Sequence, residues 1–76
     1  MLTILTPAQC RAARAFIAVS QSDLARAAAV PVALVKGFEM GILTLRPPDL
    51  DAIQQALERA GIQFIEGDRP GLRLRK

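Results

Sequence analysis

Apolar residues recur at helical spacing along most of the chain and give way to alternation near its end. Cys10, Ala13, Phe16 and Ile17 share one face of a first predicted helix over about 7–18, with Phe16 and Ile17 as its expected core anchors. Leu50, Ile53, Leu57 and Ala60 mark the buried stripe of a last helix over about 48–60. Two shorter helices, over about 21–28 and 32–40, fill the space between. From Ile62 the period falls to two, and short strands are expected over about 62–66 and 72–75, around the turn residues Gly67, Asp68, Arg69, Pro70 and Gly71.

Polar residues at the boundaries support these limits. Thr6-Pro7-Ala8-Gln9 reads as a helix start, with Thr6 at the N-cap, Pro7 where no amide hydrogen is needed and Gln9 reaching back. Leu5 and Cys10 stand where a hydrophobic staple would close it. Ser20-Gln21-Ser22-Asp23 repeats the pattern, with Val19 and Leu24 at the staple positions. Pro31 disfavours a helical Val30 and is tolerated at a helix start, so a sharp corner separates the second and third helices. The third helix has the poorest propensity: it carries β-branched residues, and Gly37 in its interior costs about 1 kcal/mol relative to alanine. Gly41 is its expected terminator, Pro47 and Pro48 reset the chain, Asp49 and Asp51 complement the positive end of the fourth helix, and Gly61 closes it.

An isolated two-stranded hairpin is marginal in water. The tail therefore packs on the helices, pairs with the extended Leu2–Leu5 segment, or pairs across a dimer axis through Ile62, Phe64, Leu72 and Leu74. Pairing across a dimer axis is the expected outcome. A domain of 76 residues buries only about 60 % of its unfolded surface, which also favours a partner subunit. The fold class expected is mainly α: a single four-helix helix-turn-helix domain over 1–76, ending in a short hairpin or strand pair.

Composition narrows the chemistry. With no His, Trp or Tyr and one Cys, the chain has no intramolecular disulfide, no Cys/His zinc site and no histidine acid–base catalysis. Cys10 falls in an alanine-rich amphipathic run and is expected to pack as a small apolar residue. Asp23, Glu39, Asp49, Asp51, Glu58, Glu66 and Asp68 are accounted for by caps, an ion pair, a helix dipole and exposed turns, leaving no nucleophile–base pair and no phosphate loop. The expectation is a non-enzyme with no metal, cofactor or small-molecule ligand. Met1 to Leu5 is too short for a signal-peptide core, and no apolar run approaches the roughly 20 residues of a membrane span, so a cytoplasmic protein is expected.

Ten basic and seven acidic residues give a net +3. Residues 1–46, with Arg11, Arg14, Arg26, Lys36 and Arg46 against Asp23 and Glu39, carry that +3, and residues 47–61 are net negative. Arg73, Arg75 and Lys76 alternate with Leu72 and Leu74, a pattern that protects an edge strand or meets phosphate.

Arg14, then Ser20-Gln21, Asp23-Leu24-Ala25 and Phe38-Glu39-Met40-Gly41, at their observed spacing, resemble the pattern R-x5-S-Q-x-x-L-A…E-x-G of the Xre and phage lambda repressor family over roughly residues 8–61. The opening run from Thr6 to Arg14 is similar to short regulators of this family that end in a basic strand. The resemblance implies that Arg14 and Glu39 pair between the first and third helices and hold the reading helix to the scaffold. It implies that Gln21 meets a phosphate at the start of the second helix, and that Val32, Ala33, Lys36 and Gly37 face base edges or nearby phosphates, with Arg46 near the DNA backbone. The chain departs from the family where Pro31, Val32, Ala33 and Gly37 replace its usual polar or long side chains. Three readings of the third helix stay open: contacts with thymine methyls plus Lys36 on guanine or phosphate, readout of DNA shape, or reuse as a protein interface.

The function implied is a sequence-specific transcriptional regulator, a repressor, binding double-stranded DNA as a homodimer and associated with the nucleoid. Two alternatives accompany it. One is a protein-interaction module using Val32, Ala33, Leu34 and Met40; the other is an antitoxin-like autorepressor.

Overall fold

The computed structural model describes residues 5–65 and 71–74. Four helices are followed by one antiparallel hairpin: α1 Pro7–Ile17, α2 Gln21–Ala28, α3 Val32–Glu39, α4 Pro47–Arg59, β1 Ile62–Ile65 and β2 Gly71–Leu74. Both sequence-encoded capping boxes form. The Gln9 amide donates to Thr6 Oγ1 at 3.1 Å while Thr6 N donates to Gln9 Oε1 at 3.1 Å, and the Asp23 amide donates to Ser20 Oγ at 2.9 Å. Leu5 and Cys10, the expected staple pair, are both buried.

The first two helices end alike. Val19 N donates to Arg14 O and Ala18 N to Ala15 O; Val30 N donates to Ala25 O and Ala29 N to Arg26 O. These are Schellman closures, and they place Ala18 at φ 56° and Ala29 at φ 59°, the left-handed region where Cβ meets the following carbonyl oxygen. Gly41 and Gly61, at φ 78° and 111°, close α3 and α4 without that cost.

α2 lies against both α3 and α4, α1 lies against α3, and the hairpin bridges the ends of the chain, β1 beside α4 and β2 beside α1. One core unites Leu24, Ala25, Val35, Phe38, Leu45, Ile53 and Leu57 with Cys10 and Ala13 of α1 and Ile62 of β1. Two expected core positions are overturned. Phe16 is 52 % exposed; at about 100° per residue it stands roughly a quarter-turn off the stripe of Cys10, Ala13 and Ile17. Ala60 is exposed because it caps α4 beyond the last helical turn, and Ala56 takes its place in the buried stripe.

The tail finds its support within its own chain. Ile62 pairs with Leu74 and Phe64 with Leu72 across the hairpin; Ile62 is fully buried in the core and Phe64 packs partly against it. Of the supports expected for the tail, packing on the helices is present: β1 lies beside α4 and β2 beside α1. The Leu2–Ile4 segment, the turn from Glu66 to Pro70, and Arg75 and Lys76 lie outside the described residues, as do the side chains of Leu72 and Leu74. Among the described residues, no helix is long and apolar enough to cross a membrane.

The left-handed alanines generate a prediction. Ala29→Gly removes the Cβ strain at the α2–α3 corner and is expected to stabilise the fold by about 0.5–1 kcal/mol, after allowing for glycine's greater freedom when unfolded. Thermal denaturation should show Tm rising by roughly 2–8 °C. An unchanged or lower Tm contradicts this account of the corner.

Candidate nucleic-acid interface

The polar centre of the molecule is Glu39, the last residue of α3, which is 4 % exposed. A carboxylate removed from water requires donors, and side chains from α1 and α2 supply them. Arg14 grips it with two parallel bonds, Nε to Oε2 and Nη2 to Oε1, each 2.7 Å. Gln21 Nε2 donates to Oε1 at 2.9 Å and Cys10 Sγ to Oε2 at 3.0 Å. Arg14 also donates from Nη1 to Val19 O at 3.1 Å, tying the same guanidinium to the chain leaving α1, and Arg11 Nη1 donates to the Glu39 carbonyl. α1, α2 and α3 are thus fixed around one carboxylate, and no buried side-chain polar atom among the described residues lacks a partner.

The electrostatics agree with the geometry. Burial pushes the Glu39 carboxyl up, but hydrogen bonds from Arg14, Cys10 and Gln21, together with the charge of Arg14, outweigh it and hold the group below the usual glutamate range. Burial, reinforced by the hydrogen bond to Glu39, pushes the Cys10 thiol far above its ordinary value. Cys10 is a neutral donor here, not a nucleophile. The hydrogen bond to Glu39 raises the Arg14 pKa, so that residue stays charged.

The sequence-predicted residues fall into separate groups. Arg14 and Glu39 pair as expected. Gln21 turns its amide inward to Glu39, so its side chain belongs to the hub. Val32 is half-buried against the core, while Ala33, Lys36 and Arg46 are exposed. Neither Lys36 nor Arg46 forms an ion pair with a described residue. Glu39, buried and paired, is the one acidic residue between Pro31 and Arg46, so this stretch exposes two cations and no anion. Arg26, by contrast, pairs with Asp23 at 3.3 Å on the surface.

Gly37 has a close neighbour. A Cβ built on it would stand 2.5 Å from Leu43 Cδ1 and 2.6 Å from Cγ. Its carbonyl accepts the amides of Ile42 at 2.9 Å and Leu43 at 3.1 Å. The linker is thereby folded back onto α3, with Leu43 lying over the position where Gly37 has no side chain. Met40 and Ile42 project beside it, 71 % and 69 % exposed.

Cys10 and Leu43 are the parts that sequence reasoning missed. Cys10 stands four residues before Arg14, so the two share a helix face, and that spacing was the signal for it. Leu43 had no local signal, because its placement depends on tertiary approach to Gly37. A shallow groove between α4 and β1, lined by Gln55, Glu58, Arg59, Ile62, Gln63 and Phe64, lies apart from the Glu39 hub. No group of three or more metal-ligating side chains is gathered among the described residues. No protein-family model and no curated protein matches the chain in sequence.

The hub predicts both mutational and pH effects. Arg14→Met leaves Glu39 buried without its counter-charge and should cost about 3–5 kcal/mol in a denaturant titration, whereas the surface pair breaker Arg26→Ala should cost at most about 1 kcal/mol. Because the folded-state pKa of Glu39 is depressed, its contribution is complete above the ordinary glutamate value and is lost as pH falls through the lower folded value. Wild-type stability should therefore decline on acidification through that window, and Glu39→Gln should flatten the decline. An equally steep decline in the variant places the acid sensitivity elsewhere.

Proposed function

We propose that this protein is a sequence-specific DNA-binding regulator of the Xre and lambda repressor type, a repressor that binds as a homodimer with α3 in the major groove. The observation carrying this reading is the α2–α3 pair, locked through a tight corner and the Glu39 hub, whose outer surface from Pro31 to Arg46 presents Lys36 and Arg46 with no opposing anion. Such a surface attracts a polyanion, and a rigidly held short helix of groove-compatible size is the usual reading element of compact helix-turn-helix domains.

The roles follow from placement. Lys36, on the exposed face of α3, meets a guanine edge or a phosphate; Arg46, at the N-cap of α4, meets the backbone. Arg14 and Glu39 position α3 without touching DNA. Gln21 joins them as a positioning residue, and the start of α2 approaches phosphate through its backbone amides. In this role the protein acts on the nucleoid, within the cytoplasm. The exposed Met40 and Ile42 favour one competing reading, a protein-docking surface at the end of α3. Leu34 contributes less to that surface than its sequence position suggests, since it packs partly on the core.

Binding to DNA from upstream of the protein's own coding sequence, against scrambled competitor across a salt series, tests the proposal. The expected result is specific, salt-sensitive binding. Lys36→Ala and Arg46→Ala should each weaken it and lower the slope of log K against log salt by about 0.9 for each phosphate that the removed cation had neutralised. Equal weak binding to both DNAs, or no salt dependence, overturns it.

A further inference from the structure

Discrimination of base pairs in the major groove uses either hydrogen-bond donors and acceptors or contact with the methyl group at C5 of a pyrimidine. The exposed face of α3 offers little of the first. Ala33, Lys36 and Met40 stand outward at spacings of three and four, and Lys36 is the single hydrogen-bonding side chain among them. The one carboxylate of the helix is turned inward to Arg14, and the nearest amide, Gln21, is turned with it. At Gly37, one residue beyond Lys36 and one turn beyond Ala33, the helix surface is supplied by Leu43 of the linker.

Resting on the DNA-binding reading above, we propose that Ala33 and Leu43 form an apolar surface flanking Lys36 that recognises a 5-methylpyrimidine beside a guanine. Lys36 donates to the O6 and N7 acceptors of the guanine, and the two apolar side chains exclude water from the adjacent C5 methyl group. Leu43 is a specificity-determining residue contributed from outside the helix. Its position is held by the Ile42 and Leu43 amides on the Gly37 carbonyl, and the missing Cβ of Gly37 is what admits it. Charge favours DNA over a protein as the occupant, because the exposed charges between Pro31 and Arg46 are the two cations Lys36 and Arg46. Thymine and 5-methylcytosine present the same methyl group, and the experiment separates them.

The full chain is used to select duplexes from a random pool, and affinity is then measured for the selected site with each thymine replaced in turn by deoxyuridine, and each cytosine by 5-methylcytosine. The expected result is a loss of about fourfold on removing the contacted thymine methyl, the size of effect for exposing one methyl-sized group, or an equal gain on methylating the contacted cytosine. Leu43→Ala, which leaves Ala33 in place, should reduce the difference between the two forms. Gly37→Ala, which leaves Leu43 in the sequence but drives it off α3, should do the same while keeping its salt dependence. Deoxyuridine and 5-methylcytosine substitutions without effect, in a protein that still binds DNA specifically, overturn the methyl-recognition proposal and leave the DNA-binding reading standing. Absence of salt-sensitive binding to any duplex overturns both. Methyl sensitivity that persists undiminished in Leu43→Ala and Gly37→Ala removes Leu43 from the role. The nucleotide substitutions are made with unaltered protein, so the test survives even if a variant fails to fold.

Discussion

A carboxylate closed off from water is the constraint around which this small protein is arranged. Glu39 retains 4 % of its exposure, and a charge so placed is tolerated only when several donors converge on it. The donors come from residues far apart in the chain, Cys10 and Arg14 from α1 and Gln21 from α2, so satisfying the charge also fixes how three helices meet. A purely apolar contact in the same place tolerates sliding. Two short parallel bonds between a planar guanidinium and a carboxylate specify distance and orientation together. The hub thus supplies definition of geometry more than net stability, and the element whose geometry it defines is α3.

Packing around the hub explains why so much of the interior is small. Cys10, Ala13, Ala25, Ala28 and Ala56 are all buried, while the bulk is concentrated in Val35, Phe38, Ile53, Leu57 and Ile62. Small residues let the helices approach closely, and the few large ones fill the space left between them. The hairpin completes this core by inserting Ile62, so the tail is part of the domain's packing.

The parts legible in the sequence are those determined by neighbours along the chain. Both capping boxes, the Pro31 corner and the stop at Gly41 depend on residues within a few positions, and they form where local chemistry places them. The Arg14–Glu39 pair is anticipated only as an implication of the resemblance to a known family, not from local chemistry. Phe16 shows where such reasoning stops. Its hydrophobicity argued for burial, but the approach of α1 to its neighbours selected the face of Cys10 and Ala13 and left the ring outside. Gly37 shows the same limit from the opposite side: within a helix it read as a local weakness, whereas in the fold it is the vacancy that Leu43 occupies.

The corners on either side of α2 are closed by backbone bonds, to which Arg14 adds a side-chain tie on Val19 O at the first. At each, two amides reach back to carbonyls of the preceding helix, and the side chain at the turning point is only a methyl group. The angle at which the chain leaves α1, and again α2, is consequently set by these bonds and by the cap and hub side chains, not by the remaining solvent-facing residues. Sequence drift on the outer faces of α2 and α3 can therefore alter what the protein touches while the relative placement of the two helices is inherited unchanged.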